Sequence, residues 1–173
     1  SVLTKIDTSY MKGAWRLYFT SNHDENSWNK ADYATMPGAI HAPFAVLALT
    51  YHRTMPLLYS GQEEPVLRPL AFFEKDTIEF KKYERAPFYK TLLELRNTNA
   101  AFKENAVFER IKVNSPKSVM AYQRTNGDAR TVVVLNLSNK SENVHLPAKL
   151  SAGKTYTELF TKKQVNTIST VQL

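Results

Sequence analysis

A chain of 173 residues with 43% hydrophobic side chains can bury the core of one domain or of two small ones. It has no cysteine, which excludes disulfides and thiolate metal sites, and it has no apolar run long enough to predict a membrane span. The net charge of +7 combines 13 Lys and Arg against 11 Asp and Glu up to Lys103 with 10 against 5 after it. Most of these charges stand singly, which favours a solvated basic surface over a nucleic-acid-binding stripe.

The first residues, SVLTKIDTSY, lack an initiator Met. They also lack the charged segment followed by an apolar segment that is typical of a secretion signal. We therefore expect the chain to be a piece of a longer protein. The compartment stays open between periplasmic or secreted and cytoplasmic, because the absence of cysteine does not decide it.

The first half of the chain alternates short strands with helices. In AWRLYFT, from Ala14 to Thr20, apolar and polar residues alternate with the period of a strand. The segment Gly38 to Arg53 is apolar on nearly every face, which predicts a buried helix. A second strand is predicted over Pro56 to Tyr59, and a second helix begins near Pro87. Strands joined through helices predict parallel pairing.

A polar loop follows each of these strands. FTSNHDENSW, from Phe19 to Trp28, is dense in hydrogen-bonding side chains, and the second strand runs into Ser60 to Glu64. In sheets of parallel strands, active groups collect on loops at the carboxyl ends of the strands. Both loops occupy that position.

After Lys103 the pattern changes to short runs of β-branched and aromatic residues, such as SVMAYQR and RTVVVLNLS. Asn126-Gly127-Asp128 between these two runs predicts a hairpin turn. We therefore expect two domains, residues 1–103 and an antiparallel β-sandwich over residues 104–173.

Four segments carry a resemblance to a known family. RLYFTSNHDENSW resembles the seventh-strand motif of the α-amylase family, glycoside hydrolase family 13, which ends in Asn-His-Asp. MPLLYSGQEE is similar to the eighth strand of that family and its following loop. FFEKDTIEF and FYKTLLELRNTNAAF are similar to the stretch after it and to the last barrel helix. The matches come in the family's order.

The resemblance implies an α/β plus all-β fold: the last two βα units of a (β/α)8 TIM barrel in residues 1–103, followed by the β-sandwich domain. It implies part of a retaining glycoside hydrolase that acts on α-1,4-glucosidic bonds of starch or maltodextrins. The family's nucleophile and general acid follow strands that this chain lacks, so we expect the chain alone to be inactive. No cofactor is expected here, and any calcium would be bound by residues of the parent enzyme outside this chain.

The same resemblance assigns the candidate site. Asp24 matches the family's third carboxylate, which accepts hydrogen bonds from sugar hydroxyls, and His23 matches the imidazole beside it. An ionised Asp only accepts hydrogen bonds, and its charge stabilises a developing cation. Asn22 is expected to shape the substrate-binding loop, and Trp28 either stacks on a sugar or packs beneath the loop. Glu63 is expected to make structural hydrogen bonds.

The expected partner is an α-glucan or a maltooligosaccharide, with no nucleic acid and no membrane span. Because two strand–helix units cannot close a barrel, we expect one of two outcomes: self-association through the exposed partial barrel, which would also pack against the β domain, or a chain that is one piece of a larger protein. Two alternatives stay open. The β domain could be a sugar-binding or accessory module with Tyr122 and Tyr156 as ring platforms, or the chain could belong to a non-catalytic relative.

Overall fold

The computed structural model describes residues 2–11, 13–29, 40–166 and 168–173, and the chain divides into two compact units. The first is Ser1–Glu84 and the second is Arg85–Leu173. The helix near Pro87, predicted in the first domain, therefore falls in the second unit. The domain boundary at Lys103 stays a prediction. No helix in the described residues is long and apolar enough to cross a membrane.

The first unit contains a two-stranded parallel sheet with a helix between its strands in the chain. Its elements, in order, are helix α1 (Val2–Ser9), strand β1 (Arg16–Tyr18), a π-helix (Glu25–Asn29), helix α2 (His41–Thr50) and strand β2 (Thr54–Pro56). The amide of Leu57 donates to the carbonyl of Tyr18 at 2.8 Å, which extends the ladder. The parallel pairing agrees with strands joined through a helix. Strand β1 is shorter than the predicted Ala14–Thr20, and β2 begins two residues before the predicted Pro56–Tyr59 and shares only Pro56 with it.

Helix α2 is shorter than the predicted segment Gly38–Arg53, whose first two residues lie outside the described part of the chain. The helix ends at Thr50, and Arg53 has a φ of 50°, which a continuing helix does not allow. Ala45, Ala48 and Leu49 are buried, as expected for an apolar helix.

The apolar side of the parallel sheet is its more exposed side. Leu17 and Met55 lie opposite each other across the two strands and are 53% and 57% exposed, whereas Arg16 and Tyr18 are half-buried. The alternation of apolar and polar residues predicts a strand correctly. It does not show which face of the strand is covered by other parts of the protein.

The second unit begins with helix α3 (Ala86–Thr98), which has Pro87 in its first turn as predicted. Antiparallel strands follow and confirm the antiparallel β character of this half. Strands β3 (Val107–Ile111), β4 (Val119–Asn126) and β5 (Ala129–Asn136) form one sheet in that order. Two shorter ladders pair β6 (Asn143–His145) with β9 (Thr170–Gln172), and β7 (Tyr156–Thr157) with β8 (Gln164–Val165).

The β4–β5 hairpin turns where the sequence predicts it. Asn126 pairs with Ala129, so Gly127 and Asp128 form a two-residue turn. Gly127 has a φ of 56°, a conformation that glycine adopts without steric cost. The local turn chemistry therefore sets the register of the longest hairpin.

Strand β4 is buried on both faces. On one face Val119 and Ala121 join the main apolar core, together with Ile111, Val144, Leu146 and Leu150. On the other face Arg124 Nε donates to the carbonyl of Ala101 at 2.9 Å, and its guanidinium lies 4.8 Å from the centroid of the Phe102 ring. Burial lowers the pKa of Arg124 to about 10.

The tyrosines suggested as ring platforms for a sugar-binding β domain are not surface rings. Tyr122 on β4 is fully buried and contacts the Phe108 ring, so its assignment as a platform is wrong. Tyr156 is half-buried, and its hydroxyl donates to the carbonyl of Leu150 at 2.7 Å. Both are packing residues. The sequence left this open, because alternation along a strand does not distinguish a core ring from a surface ring.

Candidate functional site

The first loop of the candidate site, residues 20–29, begins two residues after β1 ends. The Asn22 side chain accepts a hydrogen bond from the amide of Glu25 at 2.8 Å, and its carbonyl accepts from the amide of Asn26 at 2.9 Å. This is the bonding of a residue that caps the start of a helix. Asn22 therefore starts the helical turn that presents His23 and Asp24.

His23 and Asp24 lie side by side at the surface. The distance from His23 Nε2 to Asp24 Oδ2 is 3.6 Å, and both side chains are more than half exposed. That distance is too long for a hydrogen bond. The pair presents an acceptor carboxylate and an imidazole that can donate or accept, which suits a ligand with several hydroxyl groups.

Asn26 and Ser27 attach this loop to residues 68–70. The fully buried Asn26 accepts a hydrogen bond from the amide of Leu70 at 2.8 Å, and the Ser27 hydroxyl donates to the carbonyl of Leu70 at 2.8 Å. A buried amide side chain bonded in this way is structural. Sequence reasoning missed Asn26, and only its place in the polar loop pointed to it.

A second loop, residues 68–77, is folded around the carboxylate of Asp76. Arg68 donates to both carboxylate oxygens, at 2.6 and 2.8 Å. The amides of Ala71 and Thr77 donate to the same group at 2.9 and 2.7 Å. The side-chain hydrogen bond from Arg68 is the main reason why the pKa of Asp76 lies well below its usual range. We call this group the Asp76 clamp.

The second loop brings two phenylalanine rings to Trp28 and His23. The Phe72 centroid lies 5.2 Å from that of Trp28 and 6.1 Å from that of His23, with which it is nearly parallel. Phe73 lies 4.8 Å from Phe72 and 6.2 Å from Trp28. We call His23, Trp28, Phe72 and Phe73 the aromatic platform. Trp28 is 59% exposed, so it does not pack beneath the loop.

The loop after β2, which contains Ser60 to Glu64, is hydrogen-bonded to the first loop. The buried Gln62 donates to the hydroxyl of Thr20 at 2.7 Å and accepts from the amide of Tyr59 at 2.6 Å. Glu63 accepts from the amide of Gly61 at 3.0 Å, a structural hydrogen bond of the expected kind. The two polar loops that follow the parallel strands therefore contact each other.

Glu64 is a further anchor that the sequence did not indicate. Its carboxylate accepts hydrogen bonds from the amides of Lys81, Lys82 and Tyr83 at 3.0 to 3.2 Å. These bonds, that from Tyr83 first, lower the pKa of Glu64. In the described residues, no group of three or more His, Asp and Glu side chains is arranged to hold a metal ion.

Comparison with known proteins agrees with this fold. Residues 108–173 match the family model of the maltogenic amylase C-terminal domain, and no curated protein sequence matches the chain. Among solved structures, the chain is similar to a noncanonic maltogenic α-amylase, AmyB, from Thermotoga neapolitana, with 19% identity and a TM-score of 0.78. The match covers 99% of this chain and 42% of that one, so the chain spans about two fifths of that enzyme. The family model and the shared fold together confirm the resemblance to the C-terminal part of an α-amylase family enzyme.

Proposed function

We propose that this chain carries part of the active site of a retaining glycoside hydrolase that cleaves α-1,4-glucosidic bonds of starch or maltodextrins. In this proposal β1 and β2 are the last two strands of a (β/α)8 barrel. The observation that carries it is the exposed His23–Asp24 pair on the loop that follows a parallel strand. Catalytic groups of such barrels lie on these loops.

In the proposed reaction Asp24 binds the sugar ring at the bond to be broken. Its carboxylate accepts hydrogen bonds from two neighbouring hydroxyls, and these bonds strengthen as the ring flattens toward an oxocarbenium ion. The negative charge also stabilises that cation more than it stabilises the ground state. His23 binds a hydroxyl of the same ring, and Asn22 holds the turn that presents both residues.

The chain alone is proposed to be inactive. Retaining hydrolysis needs a carboxylate nucleophile and a carboxylic acid about 5 Å apart, one on each side of the scissile bond. In this proposal both groups belong to other parts of the complete enzyme and are absent from this chain. Asp24 can then stabilise a transition state that other residues generate, but it cannot form the covalent intermediate itself.

The test is maltoheptaose hydrolysis by this chain and by the complete enzyme that contains it, each beside its Asp24→Asn variant. We expect no turnover by the chain and a loss of about 10²- to 10³-fold in kcat for the variant enzyme, as for removal of one group that stabilises the transition state. Asp128→Asn is the matched control, because Asp128 lies in the β4–β5 turn. Full activity of the Asp24 variant, or turnover by the purified chain, would refute the proposal.

A further inference from the structure

We propose that the aromatic platform is a sugar-stacking site, with Phe73 as its most accessible ring, that binds a further glucosyl unit of the α-glucan held by Asp24. The inference rests on the proposed function and adds Phe72 and Phe73 to the residues that bind the ligand. Neither phenylalanine belongs to the Asn-His-Asp motif, and neither is recognisable as a site residue from the sequence.

The platform is continuous with the Asp24 site. His23, next to Asp24 in the chain, stacks on Phe72 with an angle of 22° between the rings. Phe72 contacts both Trp28 and Phe73. A ligand that bonds to Asp24 through its hydroxyls therefore has the ring surface of His23 and its neighbour Phe72 near it.

The rings are held at the surface by polar anchors on both sides. Ser27, next to Trp28, donates to the carbonyl of Leu70, and the Asp76 clamp bonds the amide of Ala71, next to Phe72. Phe73 is nevertheless 81% exposed. Preorganised rings of this kind bind a ligand with little loss of side-chain entropy, because their position is already set before binding.

The chemistry of the platform and its surroundings matches a pyranose better than it matches an apolar partner. A glucosyl ring has faces of C–H groups, which are attracted to the negative face of an aromatic ring, and an edge of hydroxyl groups. The platform supplies the aromatic faces, and the exposed Asp24 carboxylate supplies a hydroxyl acceptor next to His23. A purely apolar partner would leave that carboxylate desolvated and without a donor.

The experiment uses tryptophan fluorescence, because the chain has only two tryptophans, Trp15 and Trp28. A Trp15→Phe background leaves Trp28, inside the platform, as the reporter. Titration with maltoheptaose should give a saturable change in its emission. Phe73→Ala in the same background should raise the Kd about two- to tenfold, the range for an aromatic contact.

Phe80→Ala is the matched control. Phe80 lies in the same unit, is partly exposed and stacks on Tyr83 at 5.5 Å between ring centroids, outside the platform. We expect this variant to keep the parental Kd. Circular dichroism checks that each variant is folded, and Phe73→Leu, which keeps apolar bulk without an aromatic face, replaces Phe73→Ala if the alanine variant changes the spectrum.

An unchanged Kd in a folded Phe73 variant, or the absence of a saturable signal with maltoheptaose, would overturn the inference. An equal loss of affinity in Phe80→Ala would overturn it as well, since the effect would not be specific to the platform. The proposed function fails separately: if Asp24→Asn leaves hydrolysis by the complete enzyme intact while Phe73→Ala weakens binding, the platform stands and the catalytic role of Asp24 does not.

Discussion

The two loops of the candidate site and the β-sheet core of the second unit are stabilised in different ways. The core around Val144 and Leu150 is apolar and closed to solvent. The loops are stabilised by hydrogen bonds that the side chains of Asn26 and Asp76 accept and by the one that Gln62 donates to Thr20, and they leave aromatic rings at the surface. Polar anchors can order a segment without burying its apolar side chains, which leaves those side chains free for a ligand.

The largest expected effect on stability comes from the core. Leu150→Ala removes a side chain that is fully buried beside Val144 and Leu146, and it should lower the free energy of unfolding by about 3 kcal/mol through lost burial and the cavity left behind. Urea unfolding measures this change. Leu137→Ala, at a more exposed leucine just after β5, is the matched control and should cost far less. Equal losses in the two variants would show that the β core does not depend on this burial.

A smaller effect, which depends on pH, should come from the Asp76 clamp. Because the folded-state pKa of Asp76 lies below its ordinary value of 3.8, the charged carboxylate stabilises the fold above that value, and the contribution is lost as the pH falls through the folded pKa. Asp76→Asn should therefore lower the urea midpoint at pH 6 and have progressively less effect below pH 3.8. Exposure of the clamp means that salt should weaken the effect.

The same urea series with Asp128→Asn is the control for the clamp, since Asp128 lies in the β4–β5 turn. A stability loss in Asp76→Asn that stays constant from pH 6 to pH 2 would contradict the assignment. In that case the carboxylate would not act through its charge, and another account of the loop's order would be needed.

Substitutions on the apolar side of the parallel sheet should have the smallest effect on stability. They should instead change the association of the chain. We propose that the exposed Leu17 and Met55 mediate self-association of the isolated chain. Leu17→Ser should reduce the mass measured by light scattering and change the urea midpoint little. Val107→Ser is the matched control, because Val107 is an exposed apolar strand residue in the other unit. If light scattering shows that the unsubstituted chain is a monomer, this proposal is refuted.

Several parts of the structure follow from short stretches of sequence. The Asn126-Gly127-Asp128 turn and the start of α3 near Pro87 depend on backbone preferences of a few neighbouring residues, so a local pattern is sufficient to predict them. The place of His23 and Asp24 at the end of a strand is predictable for the same reason. The family resemblance, which also comes from the sequence, named them as site residues.

The anchors of the two loops were not predictable in this way. Asn26 bonds to residues 42 and 44 positions further along the chain, and no local pattern links such distant partners. Those bonds join the loop of Trp28 to residues just before Phe72 in the chain, and the two rings lie 5.2 Å apart between centroids. The platform therefore exists only in the folded chain.

The sequence by itself determined the period of each strand, the hairpin turn and the composition of the polar loop, because these depend on residues close together in the chain. The tertiary structure decided that Tyr122 is buried, that Leu17 and Met55 are exposed, and that Phe72 and Phe73 meet the rings of Trp28 and His23. Burial and long-range contacts depend on which segments cover each face, and that information is spread over the whole chain.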